Sequence, residues 1–356
     1  MKYLSILLIF VPIAVLLPLV GADPIWVFAA GALSLVPLAA WLGAATEELA
    51  LYTGPRVGGF LNATLGNAAE LIITIVALRE GLLELVKASI TGSILGNLLL
   101  VLGLSLLLGG LKHGIQRFDR RAAGVNASML TLAVIGLAIP AVFGHTIEEA
   151  SHGASEWLSI GVAVVLIFVY GLSLIYAFTA KEPREQEDTT AREITHHKPS
   201  WSLPLVVGVL LGTTLLTVWM SEVLVGAVEP VMHTLGLTEF FLGVVIVPIV
   251  GNVAEHLVGV TAAWKNKMEL SLAISVGSSM QVVLFVAPLL VFVSLLMGNP
   301  MDLIFNPFEL AALGAAIAIA ALISLDGESN WLEGAQLLGV YFIVALAFFF
   351  LPTGAQ

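Results

Sequence analysis

Residues 94–110 read ILGNLLLVLGLSLLLGG, a run without a single charge. Runs of this kind recur along the whole chain, separated by short polar joints. A helix rises about 1.5 Å per residue, so roughly 20 such residues cross the ~30 Å hydrocarbon core of a bilayer. Recurrent runs of that length define a polytopic membrane protein. Composition agrees: 59% of the 356 residues are hydrophobic and 11% are charged, against roughly 25% charged in soluble domains. The absence of cysteine excludes disulfides, thiolate metal sites and cysteine nucleophiles.

The apolar runs give eleven spans, at 4–20, 25–52, 57–79, 84–109, 119–143, 156–180, 201–226, 236–263, 268–297, 305–324 and 331–351. Residues 4–20, between Lys2 and the small residues of VGAD, also fit a secretory leader. The length of the run favours a retained helix. On this count Lys2, Arg56, Lys112, Arg117, Arg120 and Arg121 share one side with Lys181, Arg184, Arg192, Lys198, Lys265 and Lys267. The other side carries only Arg79 and Lys87. This positive-inside bias places the N-terminus in the cytoplasm and, with an odd number of spans, the C-terminus outside. The net charge of −11 adds little to that. The polar segment 181–200, with five acids and four bases, reads as a solvated cytoplasmic linker. Its adjacent His196 and His197 suit a metal poorly. The loop LDGESNWLEG, with Asp326, Glu328 and Glu333, reads as a solvated turn.

The chain also repeats itself. GNAAELIITIVALREGLLELVKASITGSILGN (66–97) aligns without a gap on GNVAEHLVGVTAAWKNKMELSLAISVGSSMQV (251–282) at a shift of 185. Identities include Gly66/Gly251, Asn67/Asn252, Glu70/Glu255, Glu84/Glu269, Gly92/Gly277 and Ser93/Ser278. Shared apolar composition would not align asparagine, glutamate and serine together. Glu70 lies on a span running outward and Glu255 on one running inward, so the second unit is upside down. The expected fold class is an all-α polytopic membrane protein of eleven transmembrane helices. It comprises an N-terminal helix (1–22), a first five-helix repeat (23–180), the linker (181–200) and a second, inverted five-helix repeat (201–356). Inverted repeats are the mark of secondary transporters, with the site near the midplane where the halves meet.

Helix geometry gathers the polar residues. Asn67, Glu70 and Thr74 fall on one face, and Asn252, Glu255 and His256 cluster in the other half. Glycine before each asparagine permits a break, and Pro248 adds another. The next helices bring Ser93 and Asn97, and Ser278 and Gln281. The candidate ligands Glu70, Glu255, Asn67, Asn252, Ser93, Ser278 and Gln281 are all hard oxygen donors, which suit Ca²⁺. The thiolates or clustered imidazoles that zinc and copper prefer are missing. Without a cation, buried carboxylates must take up protons. Two glutamates can therefore hold one divalent cation or protons, but not both, and that exclusion is the core of an antiporter. Glu47, beside Glu48, and Glu222 lie near opposite mouths, where they could relay protons or collect cations; His256 is a further proton-relay candidate. The partners expected are Ca²⁺, H⁺ and the lipid bilayer; no nucleic acid and no cofactor are expected.

These stretches resemble the paired signature repeats of the calcium/proton antiporters, the cation/H⁺ exchanger branch of the Ca²⁺/cation antiporter superfamily. ITGSILGNLLLVLGLSLLLGGLKH, ISVGSSMQVVLFVAPLLV and GESNWLEGAQLLGVYF are similar to further stretches of that family. The resemblance covers nearly the whole chain. It implies the eleven-helix inverted-repeat fold, export of cytosolic Ca²⁺ driven by inward proton flow, a retained first helix, trimers and a prokaryotic inner membrane. It also implies metal and proton roles for Glu70 and Glu255, accessory roles for Asn67, Asn252, Ser93, Ser278 and Gln281, and mouth or relay roles for Glu47, Glu222 and His256. The charge-balanced linker departs from the acidic helix common in that family. Sodium-driven exchangers of the superfamily resemble a GTSxPE-type core, whereas this chain has asparagine after glycine and no proline before the glutamate. A cation channel would need a continuous polar pathway. An intramembrane hydrolase would need a nucleophile–base pair or a zinc motif.

Overall fold

The computed structural model describes residues 4–150, 153–179 and 199–351. Lys2 and residues 181–198 of the expected linker, His196 and His197 included, lie outside the described residues. A 3-10 turn, Leu4–Ile9, leads into α1 (Phe10–Leu19). Next come α2 (Pro24–Leu65), α3 (Ala68–Arg79), α4 (Leu83–Leu95), α5 (Leu102–His113), α6 (Arg120–Ala150) and α7 (Ala154–Thr179). The remainder comprises α8 (Leu203–Gly226), α9 (Val228–Leu235), α10 (Glu239–Gly251), α11 (Val253–Trp264), α12 (Met268–Gln281), α13 (Ala287–Met297), α14 (Pro307–Ile323) and α15 (Trp331–Phe349).

Among the described residues, seven helices are long and apolar enough to cross a membrane, or eight if α10 and α11, bent by 63°, form one span. Leu4–Leu19 and α14 are apolar but shorter. The expected span 57–79 is divided. Its first part belongs to α2, which kinks at Gly54 (φ 82°), and the helix breaks again at Asn67 (φ −92°, ψ 21°). Glycine adopts a positive φ without a Cβ clash, so the kink falls there. Asn252 (φ −106°, ψ 9°) makes the same one-residue break between α10 and α11.

Among the described residues, three π-helical turns interrupt the α-helices. Gly96–Val101 joins α4 to α5, Val282–Val286 joins α12 to α13, and Leu242–Ile246 lies within α10. Each turn takes up extra residues and rotates the helix beyond it, a device frequent at functional sites. The first two begin just after the polar residues of α4 and α12.

The outer helices show large apolar side chains to their surroundings: Trp157 and Phe168 of α7 are 74% and 64% exposed. A soluble protein would not present such a surface. Together with the spanning helices it makes this an integral membrane protein. Inside, α2 packs along α8 and α5 along α15. Glu48 of α2 accepts hydrogen bonds from the backbone N–H of Ser200 and Trp201 and from the Ser200 hydroxyl, and Trp41 stacks on Trp201 at 5.6 Å. One acid of the Glu47–Glu48 pair thus anchors the chain that enters α8.

The loop 325–334 is docked rather than solvated. Strand β1 (Gln116–Arg117) pairs antiparallel with β2 (Glu328–Ser329), Arg117 bonds Glu328 at 3.0 Å, and Ser329 is buried. Asn330 then starts α15 with a capping box, in which its side chain accepts from Leu332 and Glu333 N–H and Glu333 accepts from Asn330 N–H. Removing such a cap costs about 1 kcal/mol. We expect Asn330→Ala to lower the detergent-solubilised melting temperature by a few degrees; an unchanged transition would show that strand pairing alone holds this helix start.

Candidate functional site

The two breaks bring the repeated asparagines and glutamates together at the centre. Glu70 is in the first turn of α3 and Glu255 in the first turn of α11. Glu70 is 1% exposed, whereas Glu255 is only partly buried. Each break begins with a glycine that lies against the other half. A Cβ at Gly251 would lie 3.5 Å from Glu70 Cα, and one at Gly66 3.7 Å from Glu255 Oε1. Each glycine therefore packs on the glutamate of the other half.

Each glutamate is bonded to the serine of its own half. Ser93 Oγ donates to Glu70 Oε1, and Ser278 Oγ lies 2.5 Å from Glu255 Oε2. The asparagines cross over. Asn252 Nδ2 donates to Ser93 Oγ at 2.9 Å, and Asn67 Nδ2 donates to Gln281 Oε1 at 2.7 Å. Asn67 Oδ1 is also 3.1 Å from Ser278 Oγ, whose single proton serves either Asn67 or Glu255 at any moment. The seven candidate ligands thus form one cluster. Asn97 joins it from the π-turn, donating to Ser278 Oγ at 3.0 Å. Glu70 Oε2 and Asn97 Oδ1 are buried with no hydrogen-bond partner, as is His256 Nε2. The cluster thus keeps acceptor oxygens for a guest, and such oxygens can take a hard cation or, at the carboxylate, a proton.

The mouth candidates are placed differently. Glu222 pairs with Arg79 at 3.0 Å, and Arg79 also bonds Glu80 at 3.1 Å. Glu47 is exposed on α2. Among the described residues, no group of three His, Cys, Asp or Glu side chains gathers into a metal site. The cluster itself offers two carboxylates, with amides and hydroxyls around them.

One further buried acid has no counterpart among the residues that the sequence singles out. Glu309, 3% exposed, accepts from Thr91 Oγ1 at 2.7 Å and from Asn306 N–H at 2.9 Å. Nearby, Lys87 pairs with Asp302 at 2.5 Å. The sequence signal is an acid three residues after Asn306, which reads as a helix cap; nothing local tells that the cap is buried against α4.

Residues 24–179 and 205–350 match the family described as sodium/calcium exchanger protein. The Ca(2+)/H(+) antiporter of Aphanothece halophytica is 46% identical over 98% of this chain and 96% of its own length. The Ca(2+)/H(+) antiporter ChaA of Bacillus subtilis is 42% identical over 96% and 97%. The chain belongs to the sodium/calcium exchanger family, in its calcium/proton antiporter branch. The structure of native YfkE superposes with a TM-score of 0.84 at 39% identity, covering 98% of this chain and all of that one. For this exchanger-family chain the two matched segments flank the 181–200 linker and each contains one glutamate of the pair. The relatives matched are transporters, not enzymes.

Proposed function

We propose that the protein is a secondary antiporter that moves Ca²⁺ out of the cytosol in exchange for protons. The observation that carries this reading is the crossed cluster, in which each glutamate is held by its own serine and framed by the asparagine of the opposite half. Two ionised carboxylates balance one divalent cation. When the cation leaves, charge repulsion and burial favour protonation of the same oxygens. Ca²⁺ and protons therefore compete for Glu70 and Glu255, with Asn67, Asn252, Ser93, Ser278, Gln281 and Asn97 supplying neutral oxygens. The 46% and 42% identical relatives named as Ca(2+)/H(+) antiporters support this choice of ions.

The wider arrangement belongs to the same proposal. Eleven spans form an N-terminal helix and two inverted five-helix units, 23–180 and 201–356, with the N-terminus in the cytoplasm. The matching breaks at Asn67 and Asn252 and the matching π-turns after α4 and α12 support the repeat. Alternating access then exposes the one cluster to each side in turn. Proteoliposomes test the reading: an imposed pH gradient should drive Ca²⁺ uptake against its gradient without sodium. Uptake that ignores the pH gradient and tracks a sodium gradient would make it a sodium-driven exchanger. Uptake that needs neither gradient would make it a channel.

A further inference from the structure

The two half-sites differ in the seam that leads away from each glutamate. Beyond Glu255, three helix faces meet. α11 presents Glu255, Gly259 and Ala263, one turn apart. α12 presents Ser278, Ser275 and Ser271. The third face runs from Asn97 through Val101 to Ser105 and Gly109 of α5. Close approaches fix the meeting: a Cβ at Gly259 would lie 3.2 Å from Val101 Cγ1 and 3.6 Å from Ser275 Oγ. At the far end Gln116 Nε2 bonds Ala263 O at 3.0 Å, and Gln116 packs directly on Gly109.

This seam is polar and unpaired. Ser105, Ser271 and Ser275 are each 0% exposed, and none of the three hydroxyls has a hydrogen-bond partner. Gln116 Oε1 and Asn97 Oδ1, at its two ends, have none either. Five of the ten such atoms among the described residues therefore lie along one line. A helical serine ordinarily bonds back to a carbonyl of the preceding turn, as Ser279 does to Ser275 O at 3.0 Å. Hydroxyls that forgo that bond in a dry interior cost stability unless water satisfies them.

The mirrored seam beyond Glu70 is apolar or internally paired. At the shift of 185, Gly259 corresponds to Thr74, Ser275 to Ile90, Ser271 to Val86 and Ser105 to Leu290. Thr74 bonds back to Glu70 O at 2.9 Å, and Ile90, Val86 and Leu290 are fully buried.

We propose that the seam from Ser278 through Ser275, Ser105 and Ser271 to Gln116 is a water-lined proton path joining Glu255 to one face of the membrane. It rests on the exchange reading above, which supplies the proton. Each hydroxyl accepts a proton from one neighbouring water and gives its own to the next, so only O–H bonds change and one charge moves. Among the described residues named along the seam, none between Glu255 and Gln116 is a carboxylate, so Ca²⁺, which needs several oxygens and compensating charge, does not enter it. Lys112, bonded to Trp264 O, stands at the far end and adds positive charge that repels the cation. Protons and Ca²⁺ thus share the glutamates but reach Glu255 by separate routes.

The chain has no cysteine, so single cysteines report water directly. In proteoliposomes without Ca²⁺, Ser275→Cys and Ser271→Cys should react with 2-aminoethyl methanethiosulfonate at least about tenfold faster than Ile90→Cys and Val86→Cys, because only a hydrated thiol ionises and reacts. Equal rates in the two seams overturn the proposal. The double variant Ser271→Ala with Ser275→Ala should slow pH-driven Ca²⁺ flux by about 10²-fold, the lower end of the scale for a lost proton-transfer partner. Equilibrium Ca²⁺ binding should stay unchanged and the solvent isotope effect should rise. Unchanged flux and isotope effect refute the path. Failure of the exchange reading is separable, since it appears in the unmodified protein as flux that ignores the pH gradient.

Discussion

Glu70→Gln and Glu255→Gln should each abolish Ca²⁺ exchange while leaving the protein folded. Glutamine keeps the shape of the side chain and an oxygen that can accept from Ser93 or Ser278, so the packing of α3 and α11 survives. What is lost is one of two charges. A divalent cation facing a single buried carboxylate has lost a partner worth about 3–5 kcal/mol, as when one side of a buried ion pair is removed. At about 1.36 kcal/mol per factor of ten, that is a loss of roughly 10²-fold or more. The remaining carboxylate can still take a proton, so proton binding persists without exchange. Flux in proteoliposomes measures the loss, and the melting temperature of the same preparation shows that the fold is intact. Normal exchange by either variant would refute the two-carboxylate site.

The second large effect is expected at Gly92, on α4 beside Ser93. A Cβ there would lie 2.0 Å from Val244 O and 2.6 Å from Pro248 Cγ. The contact is with backbone and a ring, neither of which can rotate away. Gly92→Ala must therefore push α4 from the π-turn of α10, at a cost of about 3 kcal/mol or more. Because Ser93 is the next residue, the shift also moves the hydroxyl that bonds Glu70. Gly277, the aligned glycine of the second half, has nothing within 4 Å of its would-be Cβ. Gly277→Ala should be mild, since alanine in a helix is favoured by about 1 kcal/mol over glycine. Thermal unfolding of the two variants decides: a large fall for Gly92→Ala alone is expected, and equal transitions would contradict the packing.

Much of the site is legible in the sequence because its residues are polar in a chain that is otherwise apolar. An asparagine, a glutamate and a serine recurring at a constant shift stand out for that reason, and the structure brings Asn67, Glu70, Ser93, Asn252, Glu255, Ser278 and Gln281 into one cluster. Glu222 reads in the sequence only as a mouth acid; its pairing with Arg79 depends on two helices far apart in the chain. Glu309 carries no local signal of its burial, because a capping acid looks the same whether its helix start meets water or another helix.

The alternation of apolar runs and polar joints by itself determined the membrane class and its helical character, since the length of a run reports the thickness it must cross. The duplicated motif determined which side chains are the candidates for the chemistry, since an asparagine, a glutamate and a serine recur together at one shift. Tertiary structure alone decided how the two copies differ. Gly92 and Gly277 are the same residue in the same motif, yet a Cβ at the first would strike Val244 O and one at the second would meet nothing within 4 Å. The seam of Ser271 and Ser275 is polar where Val86 and Ile90 make its mirror apolar, but that it meets the helix of Glu255 depends on Gly259 packing on Val101 and Ser275. The π-turns that aim Asn97 at Ser278 are equally invisible in the order of residues. Sequence period fixes which face a residue occupies. What lies opposite that face is set by the packing of helices distant in the chain, and no local pattern encodes it.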